Sequence, residues 1–254
     1  MTKSYFIINT AIANIYSDGD FNSPVATQAL LGETCSVLDT QEKWVQIRQW
    51  DNYIGWVNKG QGVFSNEPYA PTVRYLDLQG NIYNTNHTVT RSITFGGQVK
   101  VDTQFAILPD GSEGSINGKV GDFNKKPTRE NILNTTFKFL GSPYIWGGKT
   151  PSGFDCSGLV QTAFLANGLS MQRDARAQIN MEELHDINFG QVKPGDLIFF
   201  GKEAITHVGI STGGFGIIHS QGWVKQDSLN PDEDKANIEL IENLQSIKSI
   251  DGLL

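Results

Sequence analysis

The sequence predicts two small all-β barrels of SH3-like type followed by an α+β domain. Three observations predict it. Short alternating or β-branched runs, broken by Gly, Asn, Asp and Pro, fill residues 1–126. A weak repeat of hydrophobic strand, Asp at a turn and Gly-x-hydrophobic beyond it recurs at Asp51 and at Asp110. Residues 127–254 then put helical patterns first and strand patterns second. That order belongs to an α+β domain and not to a doubly wound parallel sheet.

In residues 1–68, Trp44-Val45-Gln46-Ile47-Arg48 alternates, Asp51-Asn52 turns the chain, and Tyr53-Ile54-Gly55-Trp56-Val57 resumes the strand. Glu67-Pro68-Tyr69-Ala70-Pro71 marks the split from residues 69–126. There Phe105-Ala106-Ile107-Leu108 meets a turn at Pro109-Asp110-Gly111 and continues as Glu113-Gly114-Ser115-Ile116. Asn124-Lys125-Lys126-Pro127 is the next break. Thr128 offers a capping hydroxyl to a helix with Ile132, Leu133, Thr136, Phe137 and Leu140 on one face, ended by Gly141 and Pro143. A glycine-rich approach then leads to Asp155-Cys156-Ser157-Gly158 and a second helix, which Asn167-Gly168 stops. A short helix is expected over 175–184. Beyond Pro194-Gly195-Asp196, strands are expected at 197–200, 208–211 and 216–219.

Hydrophobic residues make up 39% of the 254-residue chain, enough for buried cores. The net charge of −7, without a block of Lys and Arg, argues against a nucleic-acid partner. No apolar run reaches the about 18 residues that span a bilayer, so no membrane partner is expected. The start, Met1 to Ile8, has one positive charge and too short an apolar stretch for a signal peptide, which sets the expectation of a cytoplasmic protein. The two cysteines make no disulfide framework. Cys35, in the strand-like run Thr34 to Leu38, reads as a small buried hydrophobe.

Cys156 reads differently. A thiol at the first turn of a helix meets free amides and the positive end of the dipole, which predicts a lowered pKa and a reactive thiolate. Such a nucleophile needs a histidine base, distant in sequence and close in space. His207 and His219 are the candidates. If their strands pair as an antiparallel hairpin across Ser211 to Phe215, the two rings lie on one face, His207 as base and His219 holding its tautomer. A Cys-His-His set can also bind zinc, but the paired close ligands of such sites are missing, and neither metal nor organic cofactor is expected. His87 and His185 sit among polar residues and carry no expected role.

Tyr144-x-Trp-Gly-Gly, Gly-Phe-Asp-Cys-Ser-Gly-Leu-Val, Arg173-Asp174-Ala175, Pro194-Gly195-Asp196-Leu197-Ile198-Phe199-Phe200 and His207-Val208-Gly209-Ile210 stand in an order that resembles the NlpC-type cell-wall peptidases. These papain-like cysteine hydrolases cleave peptidoglycan stem peptides. With SH3-like modules ahead of it, the chain further resembles γ-D-glutamyl-L-diamino acid endopeptidases of the dipeptidyl-peptidase VI kind.

The resemblance implies that Cys156 is the nucleophile, His207 the general base and His219 the polar residue that orients it. It implies substrate contacts for Asp155, Ser157, Asp174 and Ala175, with Tyr144 lining the cleft beside the oxyanion. In similar enzymes the Tyr-x-Gly-Trp segment, here Tyr53-Ile54-Gly55-Trp56, helps close the non-prime end of the cleft. A tyrosine, matched by Tyr53, and an acid there hold the free amine of L-alanine. Asp18, Asp20, Glu33, Glu42 and Asp51 stay open as that acid. The implied substrate is a peptidoglycan-derived peptide, L-Ala-γ-D-Glu-diamino acid.

Overall fold

The computed structural model describes residues 3–102, 105–122 and 126–254. Met1, Thr2 and the expected break at Asn124-Lys125 lie outside them. The chain forms two compact units, 1–123 and 124–254.

Among the described residues, the first unit holds two seven-stranded antiparallel sheets. One runs in the spatial order Val25–Leu30, Ile12–Tyr16, Ile54–Asn58, Trp44–Arg48, Thr34–Thr40, Tyr5–Ile8, Gly62–Ser65. The inward positions of its alternating runs, including Phe6, Ile15, Val45, Ile47 and Val57, form its core, and Cys35 is buried among them. The second sheet has its own core of Tyr75, Ile82, Ile93, Val99, Ala106 and Leu108, which also takes in Leu31 from the turn after strand Val25–Leu30. The repeated turn acid has a further task here. Asp110 Oδ2 accepts from Asn9 Nδ2 at 2.8 Å and from Arg91 Nη2 at 2.6 Å, pinning one sheet to the other. Gly32 lets the backbones meet: at its φ of +80°, an added Cβ would lie 2.0 Å from Gln98 O.

The second unit opens with helix α1, Arg129–Phe137, whose cap Thr128 accepts from Asn131 N–H. Helix α2, Cys156–Leu165, is buried along nearly its whole length and packs on a six-stranded antiparallel sheet. The spatial order of that sheet is His185–Asp186, Leu244–Ser249, Leu197–Phe200, His207–Gly213, Gly216–Gln221, Trp223–Ser228. The motif acid Asp196 is fully buried and serves as a hub, receiving Arg129, Lys193 N–H and Ile250 N–H.

Three differences from expectation have local causes. Helix α3 covers only Ala175–Gln178, because Asn180 Nδ2 takes the Arg176 carbonyl at 2.7 Å, so that side chain competes with further turns. Strands Trp223–Ser228 and Leu244–Ser249 were not expected. Only Val224 and Ser228 of the first, and Ile247 and Ser249 of the second, are buried, so little apolar alternation marks them.

Candidate active site

The approach to the cysteine is shaped by glycines that admit backbone. A Cβ on Gly158, in the first turn of α2, would meet Gly148 O at 2.1 Å. One on Gly148 would meet Gly153 O at 2.3 Å. The loop before Cys156 therefore lies directly against the helix that carries it.

Asp155 caps that helix. Its Oδ1 accepts Gly158 N–H at 2.7 Å and its Oδ2 accepts Gly147 N–H at 3.0 Å. Arg173 closes on the same carboxylate from the other side, Nη1 to Oδ1 at 3.0 Å and Nη2 to Oδ2 at 2.6 Å. Arg173 Nη1 also reaches Ser157 Oγ at 3.1 Å, and Gln178 Nε2 holds the Ser157 carbonyl at 3.0 Å. Asp155 and Ser157 thus hold the mouth of the helix in shape. Arg173 carries no expected role in the sequence, where its one signal is a cation beside Asp174.

Cys156 is 8% exposed, and its sulfur receives the backbone N–H groups of Ser157 and Val208. Val208 follows His207, so the thiol lies at the start of the histidine strand. The lowered thiol pKa expected from the helix terminus is corrected here. Burial, and after it the Asp155 carboxylate, push the thiol up to about 11, and those two N–H groups and Arg173 only partly offset this. Burial likewise pushes His207 down to about 3, helped by His219 and Lys225. Both groups are therefore neutral at rest, the thiol holding its proton and the imidazole free to take one.

The hairpin register brings the two histidines to one face. Gly209 pairs with His219, which sets His207 on the diagonal, and His207 Nε2 lies 2.9 Å from His219 Nδ1. Ile217 pairs with Asp227 and His219 with Lys225, so Asp227 stands on the next diagonal. Its Oδ2 lies 2.9 Å from His219 Nε2. Asp227 gives no signal in the sequence because its strand, with only Val224 and Ser228 buried, barely alternates.

Tyr144 is half-buried, and burial with the charges of Cys156 and Asp155 pushes its phenol up to about 12, keeping it a donor. Its N–H bonds the Gly222 carbonyl at 2.8 Å, tying the cysteine approach to the far strand. Asp174 is exposed at the start of α3, and Ala175 is buried behind it. His87 and His185 are exposed.

In the first unit, Tyr53 is half-buried in the turn before strand Ile54–Asn58, its N–H bound by Asp51 Oδ1 at 3.1 Å. Of the five acids left open, Glu33 is buried on Gln49 Nε2 and Leu30 N–H, and Asp51 is buried in the turn. Asp18, Asp20 and Glu42 are exposed.

Residues 141–238 match the NlpC/P60 family, and residues 15–61 match the bacterial dipeptidyl-peptidase Sh3 domain. A γ-D-glutamyl-L-lysine dipeptidyl-peptidase of Bacillus subtilis is 32% identical over 223 residues, 77% of this chain and 72% of that protein. A protein of the same name from Bacillus cereus is 28% identical over 235 residues, 76% of this chain and 66% of that one. The crystal structure of a Bacillus cereus NlpC/P60 family protein superposes with a TM-score of 0.81 at 22% identity, covering 97% of this chain and 99% of that one, a likeness of fold. The chain belongs to the NlpC/P60 family. It is a cysteine peptidase, with a bacterial Sh3 domain ahead of the peptidase domain.

Proposed function

We propose that this peptidase hydrolyses the amide between γ-D-glutamate and an L-diamino acid in short peptidoglycan-derived peptides that begin with free L-alanine. One observation carries the reading. Similarity to proteins named γ-D-glutamyl-L-lysine dipeptidyl-peptidases covers about three quarters of the chain, and the dipeptidyl-peptidase Sh3 match falls outside the peptidase domain.

In this mechanism Cys156 Sγ attacks the γ-carbonyl as His207 takes the thiol proton. The oxyanion is received by the Cys156 amide and the Tyr144 hydroxyl. His207 then protonates the leaving amine, a thioester to L-alanyl-γ-D-glutamate remains on Cys156, and water activated by His207 releases it. Selection for the free amine is assigned to Tyr53 and an acid of the first unit, because an ammonium taken from water needs a charged partner. Action in the cytoplasm, on peptides recycled from murein, suits a requirement for that free terminus.

The test compares L-Ala-γ-D-Glu-L-Lys with its N-acetylated form by mass spectrometry of the products. Losing one buried charged hydrogen bond costs about 2–5 kcal/mol, so kcat/KM for the acetylated peptide should fall roughly tens- to thousands-fold. Tyr53→Phe should cost less, since it removes one neutral partner and keeps the ring. Equal cleavage of the two peptides would replace this reading with broader hydrolysis of intact wall.

A further inference from the structure

The two histidines do not end the hydrogen-bonded chain that begins at the base. Three donors converge on Asp227 Oδ2: His219 Nε2 at 2.9 Å, Asn237 Nδ2 at 2.7 Å and Lys225 Nζ at 3.5 Å. An oxygen so surrounded belongs to an ionised carboxylate, which accepts and never donates. The donor facing it is equally determined. Asn237 caps helix α4, Ile238–Glu242, with its Oδ1 accepting Leu240 N–H at 3.1 Å. That contact turns its Nδ2 toward Asp227.

We propose that Asp227 is the positioning residue of this site, its carboxylate setting the tautomers of both histidines so that His207 Nδ1 is left as the base. An acceptor at 2.9 Å requires a proton on His219 Nε2, and a neutral ring then has a bare Nδ1. That bare nitrogen lies 2.9 Å from His207 Nε2, which must therefore carry the proton. Neutral His207 keeps its lone pair on Nδ1. Burial favours the neutral form of both rings. The same direction of bonds serves the charged step, because a proton arriving on His207 Nδ1 leaves every other bond in place, and the imidazolium is then stabilised through His219 by the carboxylate. His219 alone has no reason to prefer either tautomer; the charge at the end of the chain decides.

The inference rests on the reading of His207 as the base, and its test does not depend on the substrate. The full chain carrying Cys156→Ala, labelled with 15N, is studied by long-range proton–nitrogen correlation of its histidine rings near neutral pH. The expected spectrum has Nε2–H tautomers at both His207 and His219. Asp227→Ala in the same background should mix the tautomers at both rings, and Asp227→Asn, whose amide oxygen can still accept from His219, should restore them. In the otherwise wild-type enzyme, Asp227→Ala should lower kcat on the order of ten- to a hundred-fold. That is less than the roughly 10⁴-fold seen where a carboxylate holds the base directly. KM should change little, and Asp227→Asn should recover part of the loss. An Nδ1–H tautomer at either ring of the parent protein overturns the proposal, a result that stands even where Asp227→Ala fails to fold. Unchanged tautomers and unchanged kcat in Asp227→Ala also overturn it. An enzyme inert on L-Ala-γ-D-Glu-L-Lys would remove the substrate reading alone.

Discussion

Arg173 and Asp155 meet as a bidentate pair, 3.0 Å and 2.6 Å, with Arg173 only 2% exposed, and the pair braces the first turn of the helix that carries Cys156. Removing one partner of a buried ion pair leaves the other charge uncompensated, at a cost of about 3–5 kcal/mol. Arg173→Ala should therefore lose about that much stability in urea denaturation and take activity with it. Arg173→Lys should be intermediate, since an ammonium cannot fill both oxygens of a planar carboxylate. A stable Arg173→Ala variant would mean that the Gly147 and Gly158 amides and the Ser157 hydroxyl suffice to hold Asp155.

Thiol reactivity should depend on His207. With His207 in place and neutral, burial still holds the thiol up to about 11, so reaction needs the base to take the thiol proton as the bond to sulfur forms. Iodoacetamide should label Cys156 readily in the wild-type protein near neutral pH. In His207→Ala, which lacks an acceptor for that proton, labelling should be slow there and climb as pH rises. Cys35, fully buried in the first unit, should stay unlabelled until the protein unfolds. Equal labelling of Cys156 in both proteins would remove His207 from its role.

The two histidines should tolerate different replacements. His207→Ala removes the proton carrier and should cost activity on the scale of Cys156→Ala, with general-base loss worth roughly 10²–10⁴-fold. His219→Gln should retain measurable activity. A glutamine oxygen accepts from His207 Nε2 while its amide donates to Asp227, which is the polarity the wild-type ring provides. Steady-state kinetics of the two variants decide the matter; an active His207→Ala beside an inert His219→Gln would reverse the assignment.

Acid stability should carry a histidine signature. The His207 pKa is lowered to about 3 and that of His219 is lowered as well, both chiefly by burial. In the unfolded chain both lie near 6.5. Between those values the unfolded state binds more protons, so stability rises with pH there and is lost as pH falls from about 6.5 toward 3. Urea midpoints measured across that range should decline toward acid, and His207→Gln should flatten the decline above about pH 4. The lowered carboxylates of Asp110 and Asp251, each near 2, add their own loss from about pH 4 downward and so overlap only the acid end of that window.

Residue patterns are enough to read off all-β modules ahead of an α+β domain, the cysteine at a helix start, the Thr128 cap and both histidine strands. Each is a local matter: alternation, glycine punctuation and capping residues act within a few positions of one another. Even the pairing of His207 with His219 was legible, because a hairpin places its two strands by a short turn. The remaining contacts form only when distant segments pack together. Asp227 lies on a strand whose sequence barely alternates, and only the sheet register sets it on the diagonal from His219. Arg173 finds Asp155 through packing across 18 positions of chain. The direction of the thiol shift also depended on burial: the helix terminus is visible in the sequence, but the desolvation that outweighs it comes from neighbours brought in by the whole fold.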